Sequence, residues 1–156
     1  MLTWTDGAIA DPAPATDAQV LAAEDALRVD LPSDFLVIAR QHQGARPVPS
    51  GVRLPNGFGT AVQHLLHFED APFASNILAG GFPFEGVLPR GIIPFAHDVG
   101  GELFCFNYRD NYDAPSVAFW STDWGLVPLA PSFGAFLELL HDADEREASP
   151  KHMTAP

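Results

Sequence analysis

Residues 92–108 place the tightest constraint on the fold of this chain, because a Gly-Gly dipeptide separates two apolar runs there. Gly100 and Gly101 tolerate positive φ, the backbone conformation that a tight reversal needs. The run that follows, residues 103–108, is mostly apolar and aromatic, which favours a half-buried pleated strand. The segment therefore predicts a β-hairpin or a tight entry into a strand.

Two helices are predicted before this segment and one after it. Thr16 begins a stretch with capping-box spacing, so the first helix is expected to run from there to about Arg28. Pro32 suits the first turn of a second helix, for which Gly44 offers a C-terminal stop. Ser132 is a favourable N-cap for a third helix. The apolar stripe of that helix would consist of Phe133, Phe136, Leu137 and Leu140.

Further strands are expected on both sides of the hairpin. Apolar runs predict strands at residues 62–68, 116–120 and 126–129. Residues 45–59 are rich in Pro and Gly, and they predict a loop with at most a short edge strand near residues 51–54.

Together these elements predict an α+β fold, with two N-terminal helices, a mostly antiparallel sheet of about four to six strands, and a C-terminal helix packed on the sheet. A chain of 156 residues is long enough for one domain and one core. We expect that domain at residues 16–141, after an N-terminal extension at 1–15 and before a polar C-terminal tail at 142–156. Residues 74–79 could add a helical turn.

The charge balance narrows the choice of partner. The chain carries 20 Asp and Glu residues against 8 Lys and Arg residues, for a net charge of −12. Nucleic acid is a poor partner for such a chain, because binding it depends on Lys and Arg displacing counterions from phosphates. An acidic surface favours fast encounter with a basic macromolecule, and acidity that serves only solubility is an equal alternative.

Cysteine and apolar content indicate the compartment. The single cysteine, Cys105, excludes an internal disulfide framework and fits a reducing environment. The N-terminus has neither the positive charge nor the apolar run of a signal peptide, and no apolar stretch approaches about 18 residues. We therefore expect a cytoplasmic protein without a membrane partner, whose oligomeric state the sequence leaves open.

Few residues could carry catalysis or hold a metal. The pair His97-Asp98 could activate Cys105 as a nucleophile, but a thiol between two phenylalanines on a strand is expected to be a small buried hydrophobe. His64 and His67 would point to opposite faces of their strand, so we interpret them as surface residues rather than zinc ligands. We expect no catalytic residue, no metal, no cofactor and no enzymatic activity.

Two acidic, aromatic turns are the candidates for binding a partner. Trp and Tyr are over-represented in binding hot spots, and Asp favours turns through bonds to its own backbone. The Tyr in the first turn could instead anchor its loop. The candidate residues are Asp110, Tyr112 and Asp113 in one turn, and Asp123 and Trp124 in the other.

Three segments give the chain a family likeness. They are Ile-Ile-Pro-Phe-Ala with the later Phe-Cys-Phe (92–106), Leu-Pro-Ser-Asp-Phe-Leu (31–36), and Ser-Phe-Gly-Ala-Phe-Leu-Glu-Leu-Leu (132–140). In order and spacing they resemble the SUKH superfamily of Smi/Knr-like proteins, over roughly residues 16–141. Glu102 stands where that family more often has Asp.

The resemblance implies a binding role without catalysis. Bacterial members are implied to be immunity proteins that bind and neutralise a cognate toxin, often a nuclease, and a nuclease with a basic cleft would suit an acidic partner. The yeast relatives imply a regulatory or scaffolding module, and a small-molecule-binding domain is a further alternative. A fold resemblance does not identify the binding surface.

Overall fold

The computed structural model describes residues 2–79 and 87–142 of the chain. The α-helices within these ranges are α1 (Asp17–Leu27), α2 (Ser33–Gln41) and α3 (Phe133–Glu138). The β-strands are β1 (Thr3–Thr5), β2 (Arg46–Val48), β3 (Gly51–Arg53), β4 (Gly59–Leu65), β5 (Ile92–Asp98), β6 (Leu103–Asn107), β7 (Ser116–Ser121) and β8 (Gly125–Ala130). Only a short 3₁₀ turn, Phe73–Ser75, lies near the predicted helical turn at 74–79.

Strands β3 to β8 form one antiparallel sheet in which every strand lies beside its neighbour in sequence. Strands β1 and β2 form a separate antiparallel pair. Helix α3 packs against β7 and β8 as well as against α2. The predicted α+β fold is confirmed.

Because the large sheet is a meander, its connections alternate between two ends, which we call the turn end (β3–β4, β5–β6 and β7–β8) and the loop end (β4–β5 and β6–β7).

The predicted hairpin is confirmed as strands β5 and β6. Their turn is closed by hydrogen bonds from the Asp98 N–H to the Glu102 carbonyl (3.0 Å) and from the Gly101 N–H to the Asp98 carbonyl (3.2 Å). Gly101 has φ of +89°, which explains why a residue without Cβ stands there. The turn holds the side chains of Asp98 and Glu102 at the turn end of the sheet.

Helix α1 has the predicted capping box. The Gln19 N–H donates to Thr16 Oγ1 (3.1 Å), and the Thr16 N–H donates to Gln19 Oε1 (2.9 Å). Helix α2 differs in two details: Pro32 lies at its N-cap rather than in its first turn, and the helix ends at Gln41, before Gly44. The C-cap of α1, Arg28, has φ of +61°, an uncommon backbone conformation for a residue with a side chain.

One face of the sheet packs on the helices through a cluster of phenylalanines. The ring centroids of Phe35 on α2 and Phe133 on α3 are 5.1 Å apart, and Phe35 lies 5.1 Å from Phe106 on β6. Phe95 stacks on Phe106 at 4.4 Å. Phe136 lies against Phe95 and Phe104. Phe133 and Phe136 are buried as predicted, and Leu137 and Leu140 are partly buried at the edge of the same core.

A smaller apolar cluster covers the opposite face of the sheet. Cys105, Ile92 and Leu103 are buried there, and Trp120 and Leu126 pack against them. Successive residues of β6 therefore point alternately to the phenylalanine core and to this second cluster, as strand geometry requires.

Several elements differ from the prediction. Strand β4 begins three residues before the start of the predicted strand 62–68 and ends three residues before its end. Leu66, His67 and Phe68 are buried in the turn that follows the strand, so they do not extend it. The strands β1 and β2 were not predicted. Trp4 on β1 stacks on His42 at 5.2 Å, which holds the N-terminal segment against the end of α2.

The segment beyond Asp142, most of the predicted C-terminal tail, lies outside the described residues. In residues 2–79 and 87–142, no helix combines the length and apolar character that a membrane crossing requires.

Candidate functional site

The structure separates the five predicted binding residues into two groups at opposite ends of the sheet. Asp110, Tyr112 and Asp113 lie in the loop before β7, whereas Asp123 and Trp124 lie in the turn after it. Strand β7 has six residues, so the two groups stand on the order of 20 Å apart along it. The two groups are therefore separate clusters, and each is considered with its own neighbours.

Asp123 and Trp124 border a cleft at the turn end, which we call the acidic cleft. All three turns at this end contribute to it, and its volume is about 290 Å³. Its principal side chains are Phe58, Thr60, Asp98, Glu102, Asp123 and Trp124.

Trp124 is the exposed aromatic residue that lines the acidic cleft. It is 45% exposed, and its ring meets the ring of Phe58 edge to face at 5.2 Å. Its backbone is fixed because the Trp124 N–H and the Asp123 N–H both donate to Ser121 Oγ, at 3.2 and 3.0 Å. A large apolar side chain that is held in place while it remains accessible can bind a partner with little loss of conformational entropy.

Asp98 forms the floor of the acidic cleft and supports its walls. Asp98 is 5% exposed, and its carboxylate accepts hydrogen bonds from Thr60 Oγ1 (2.8 Å) and from the N–H groups of Gly100 (2.8 Å) and Glu102 (2.7 Å). These bonds join β4 to the β5–β6 turn. Asp98 is thus a turn-stabilising residue, whereas His97 lies within β5.

Glu102 links two of the turns. One oxygen of its carboxylate, Oε2, accepts hydrogen bonds from the Thr122 N–H (2.8 Å) and from Thr122 Oγ1 (3.2 Å). Among the described residues that line the cleft there are three carboxylates and neither Lys nor Arg. A cation entering the cleft would meet the carboxylates of Glu102 and Asp123 beside the aromatic ring of Trp124, a combination that favours a guanidinium or ammonium group.

The loop that contains Tyr112 is built by turn chemistry. Asn111 Oδ1 accepts hydrogen bonds from the N–H groups of Asp113 (3.0 Å) and Ala114 (3.1 Å). Tyr112 donates from its hydroxyl to the Arg28 carbonyl at 2.7 Å, yet its side chain is 52% exposed. Tyr112 therefore anchors the loop to the end of α1, and Asp110 and Asp113 are exposed beside it.

The cysteine and two of the histidines, His64 and His97, lie on neighbouring strands of the large sheet. Cys105 pairs with Pro94 across the hairpin, and burial raises the pKa of its thiol, so the nucleophilic thiolate is disfavoured. His97 meets His64 edge to face at 5.1 Å, and burial lowers the pKa of His64 to about 4. Among residues 2–79 and 87–142, no three His, Cys, Asp or Glu residues lie close enough together to hold a metal ion.

His67 is not the surface residue that we expected. It is fully buried, its Nδ1 accepts from the Glu69 N–H (3.1 Å), and its Nε2 lies 2.9 Å from Ser75 Oγ. Because Nδ1 is an acceptor, Nε2 carries the proton and donates to the serine hydroxyl. His67 thus fixes the turn after β4 by joining it to the 3₁₀ turn Phe73–Ser75.

Phe58 and Glu102 are cleft residues that sequence reasoning did not select. Phe58 follows Asn56-Gly57, a dipeptide typical of hairpin turns, and this signal places it at the same end as the Gly100-Gly101 turn once a meander is assumed. Glu102 follows that second turn directly. The strand order brings the two turns side by side, and neither sequence pattern alone indicates that order.

The comparison with protein families finds one match. Residues 14–139 match the model described as the SMI1 / KNR4 family (SUKH-1). The match spans most of the chain and contains both the acidic cleft and the Tyr112 loop. The search of curated proteins finds no match.

Proposed function

The chain belongs to the SMI1/KNR4 family (SUKH-1), and from that membership we propose that it is a non-enzymatic immunity protein that binds and neutralises a cognate bacterial toxin. The observation that carries this proposal is the acidic cleft, in which an exposed Trp124 stands beside the carboxylates of Glu102 and Asp123.

The cleft suits a basic side chain of a protein partner. A cavity of about 290 Å³ is at the small end of ligand pockets, which typically measure roughly 300–1,000 Å³, so it fits one side chain better than a whole ligand. An arginine from the partner could pair with the carboxylate of Asp123 and lie against Trp124. The remainder of the interface would then form around this anchor.

The overall charge supports a toxin that acts on nucleic acid. A nuclease needs Lys and Arg residues to hold phosphates, and a protein of net charge −12 is complementary to such a surface. Long-range attraction between opposite charges would speed the encounter, whereas Trp124, once covered by the partner, would slow dissociation. The proposed inhibitor works by occupying the basic cleft, and it acts in the cytoplasm, where an incoming toxin would meet its substrate.

The test is neutralisation of the toxin encoded beside this gene. The purified chain should form a stoichiometric complex with that toxin domain and abolish its activity, and Trp124→Ala should restore activity at equal inhibitor concentration. Tyr112→Phe, which changes an aromatic residue at the loop end, is the matched control and should inhibit normally. Binding to several unrelated host proteins, with no toxin in the gene neighbourhood, would instead support the alternative, a regulatory or scaffolding module.

A further inference from the structure

The loop end of the sheet contains a second cavity whose chemistry is opposite to that of the acidic cleft. Its volume is about 740 Å³. Three cationic side chains from three separate segments line it together with two aromatic rings. These residues, which we call the arginine–tyrosine pocket, are Arg28, Arg90, Arg109, Tyr108 and Tyr112.

The concentration of arginine there is unusual for so acidic a chain. The other arginines that the structure describes are Arg40, Arg46 and Arg53, so half of the described arginines line this one cavity. Within residues 2–79 and 87–142, one ion pair is present, and it joins Arg40 to Asp17. The guanidinium groups of Arg28, Arg90 and Arg109 thus have no carboxylate within ion-pairing distance in the described part of the chain. The carboxylates of Glu24, Asp25 and Asp30 lie in an adjoining depression that Arg28 and Tyr112 also border.

The backbone is arranged to bring these arginines together. Arg28 has φ of +61° at the C-cap of α1, a position where glycine is usually preferred, and the hydroxyl of Tyr112 donates to its carbonyl at 2.7 Å. At Gly91, with φ of +86°, a Cβ would lie 3.1 Å from Arg109 Cγ. The stem of Arg109 therefore passes directly over the Gly91 backbone, and a side chain at residue 91 would displace it.

The floor of the pocket is apolar. Leu27, Val29 and Ile93 line it, and the ring of Tyr108 lies 5.8 Å from that of Tyr112. An apolar floor with aromatic walls and a few convergent polar groups is the usual composition of a small-molecule site, and the volume lies within the typical range. Guanidinium groups bind phosphate through paired hydrogen bonds, and three of them match a group of charge near −2.

We propose that the arginine–tyrosine pocket binds a small phosphorylated ligand with an aromatic or apolar body. The phosphate lies among the arginines, and the body lies on the apolar floor between the tyrosines. The proposal does not depend on the immunity function, because the pocket is at the opposite end of β7 from the acidic cleft.

The first test uses phenyl phosphate as the probe, with phenol and inorganic phosphate as its two halves, in calorimetric titrations of the full chain. Phenyl phosphate should bind at least about tenfold more tightly than either half. A Kd for phenyl phosphate above about 1 mM would overturn the proposal. So would tighter binding of an acidic peptide than of phenyl phosphate, which would make the pocket a protein-binding surface.

The second test separates binding from folding. Arg28→Gly removes one guanidinium and also relieves the positive φ, so this variant should lose binding at least about tenfold while its thermal midpoint stays equal or rises. Arg46→Gln, which removes an arginine on β2 outside the pocket, is the matched control and should bind normally. Unchanged binding by Arg28→Gly, or an equal loss in Arg46→Gln, would overturn the assignment of these residues.

Discussion

Replacement of Phe136 by Ala tests the packing of helix α3 on the sheet. The side chain is 1% exposed, and its ring contacts Phe95 (5.7 Å), Phe104 (5.4 Å) and Phe133 (6.3 Å). Burial of a phenylalanine stabilises by about 1.5–3 kcal/mol, and aromatic pairs and the cavity left behind add to that. We expect Phe136→Ala to lower the free energy of unfolding by about 3–5 kcal/mol.

The assay is urea denaturation followed by tryptophan fluorescence, with the midpoint compared at constant m value. Leu139→Ala is the matched control, because Leu139 follows the same helix and is 42% exposed. That variant should lose less than about 1 kcal/mol. Equal losses in the two variants, or a loss for Phe136→Ala below about 1.5 kcal/mol, would refute the packing of α3.

Three further predictions concern single side chains. The pKa of His64 is lowered from 6.5 to about 4 by burial and then by His97 and His67, so the unfolded chain binds more protons between these values. The free energy of unfolding should be at its full value above pH 6.5 and fall by about 1–2 kcal/mol as the pH is lowered toward 4, after allowance for the partial exposure of His64. His64→Gln should reduce this dependence of stability on pH. An unchanged pH dependence in that variant would contradict the assignment of the lowered pKa to His64. Cys105, buried on β6, should react with a thiol reagent only when the protein unfolds, so rapid reaction under native conditions would show that the second cluster is open. Thr16→Ala removes the cap of α1 and should cost about 1 kcal/mol in urea denaturation, whereas Thr16→Ser should cost little, and identical losses would count against the capping box.

Local chemistry explains why parts of the fold could be predicted from the sequence. The capping box at Thr16, the Gly100-Gly101 turn and the apolar stripe after Ser132 each act over a few residues, so their signals lie within one short segment. These features are confirmed. Strands β1 and β2 have three residues each and pair across about 45 positions of sequence, as Thr3 does with Val48, so no local periodicity could indicate them.

The arrangement of the candidate sites required the strand order. Asp113 and Asp123 are ten positions apart and look like parts of one acidic region, but β7 carries them to opposite ends of the sheet. The arginine–tyrosine pocket was missed for the same reason, because Arg28, Arg90 and Arg109 come from three distant segments. His67 was misplaced because its burial depends on Ser75 and the turn after β4, which no pattern near residue 67 shows.

We propose that the acidic cleft, rather than the acidity of the whole surface, receives a basic toxin. The two ends of β7 provide the comparison, because Asp123→Asn and Asp113→Asn make the same change of charge at opposite ends of the sheet. The direct measurement is the association and dissociation rate of each variant, and of Trp124→Ala, with the toxin domain encoded beside this gene at low and high salt.

We predict that Asp123→Asn slows association more than Asp113→Asn does, and that the difference shrinks at high salt, since surface charges are screened over about 8–10 Å at moderate ionic strength. Trp124→Ala should speed dissociation and weaken the complex by about 2 kcal/mol or more. Equal association rates for the two Asp variants at low salt, together with unchanged dissociation of Trp124→Ala, would contradict the assignment of the cleft as the toxin-binding site.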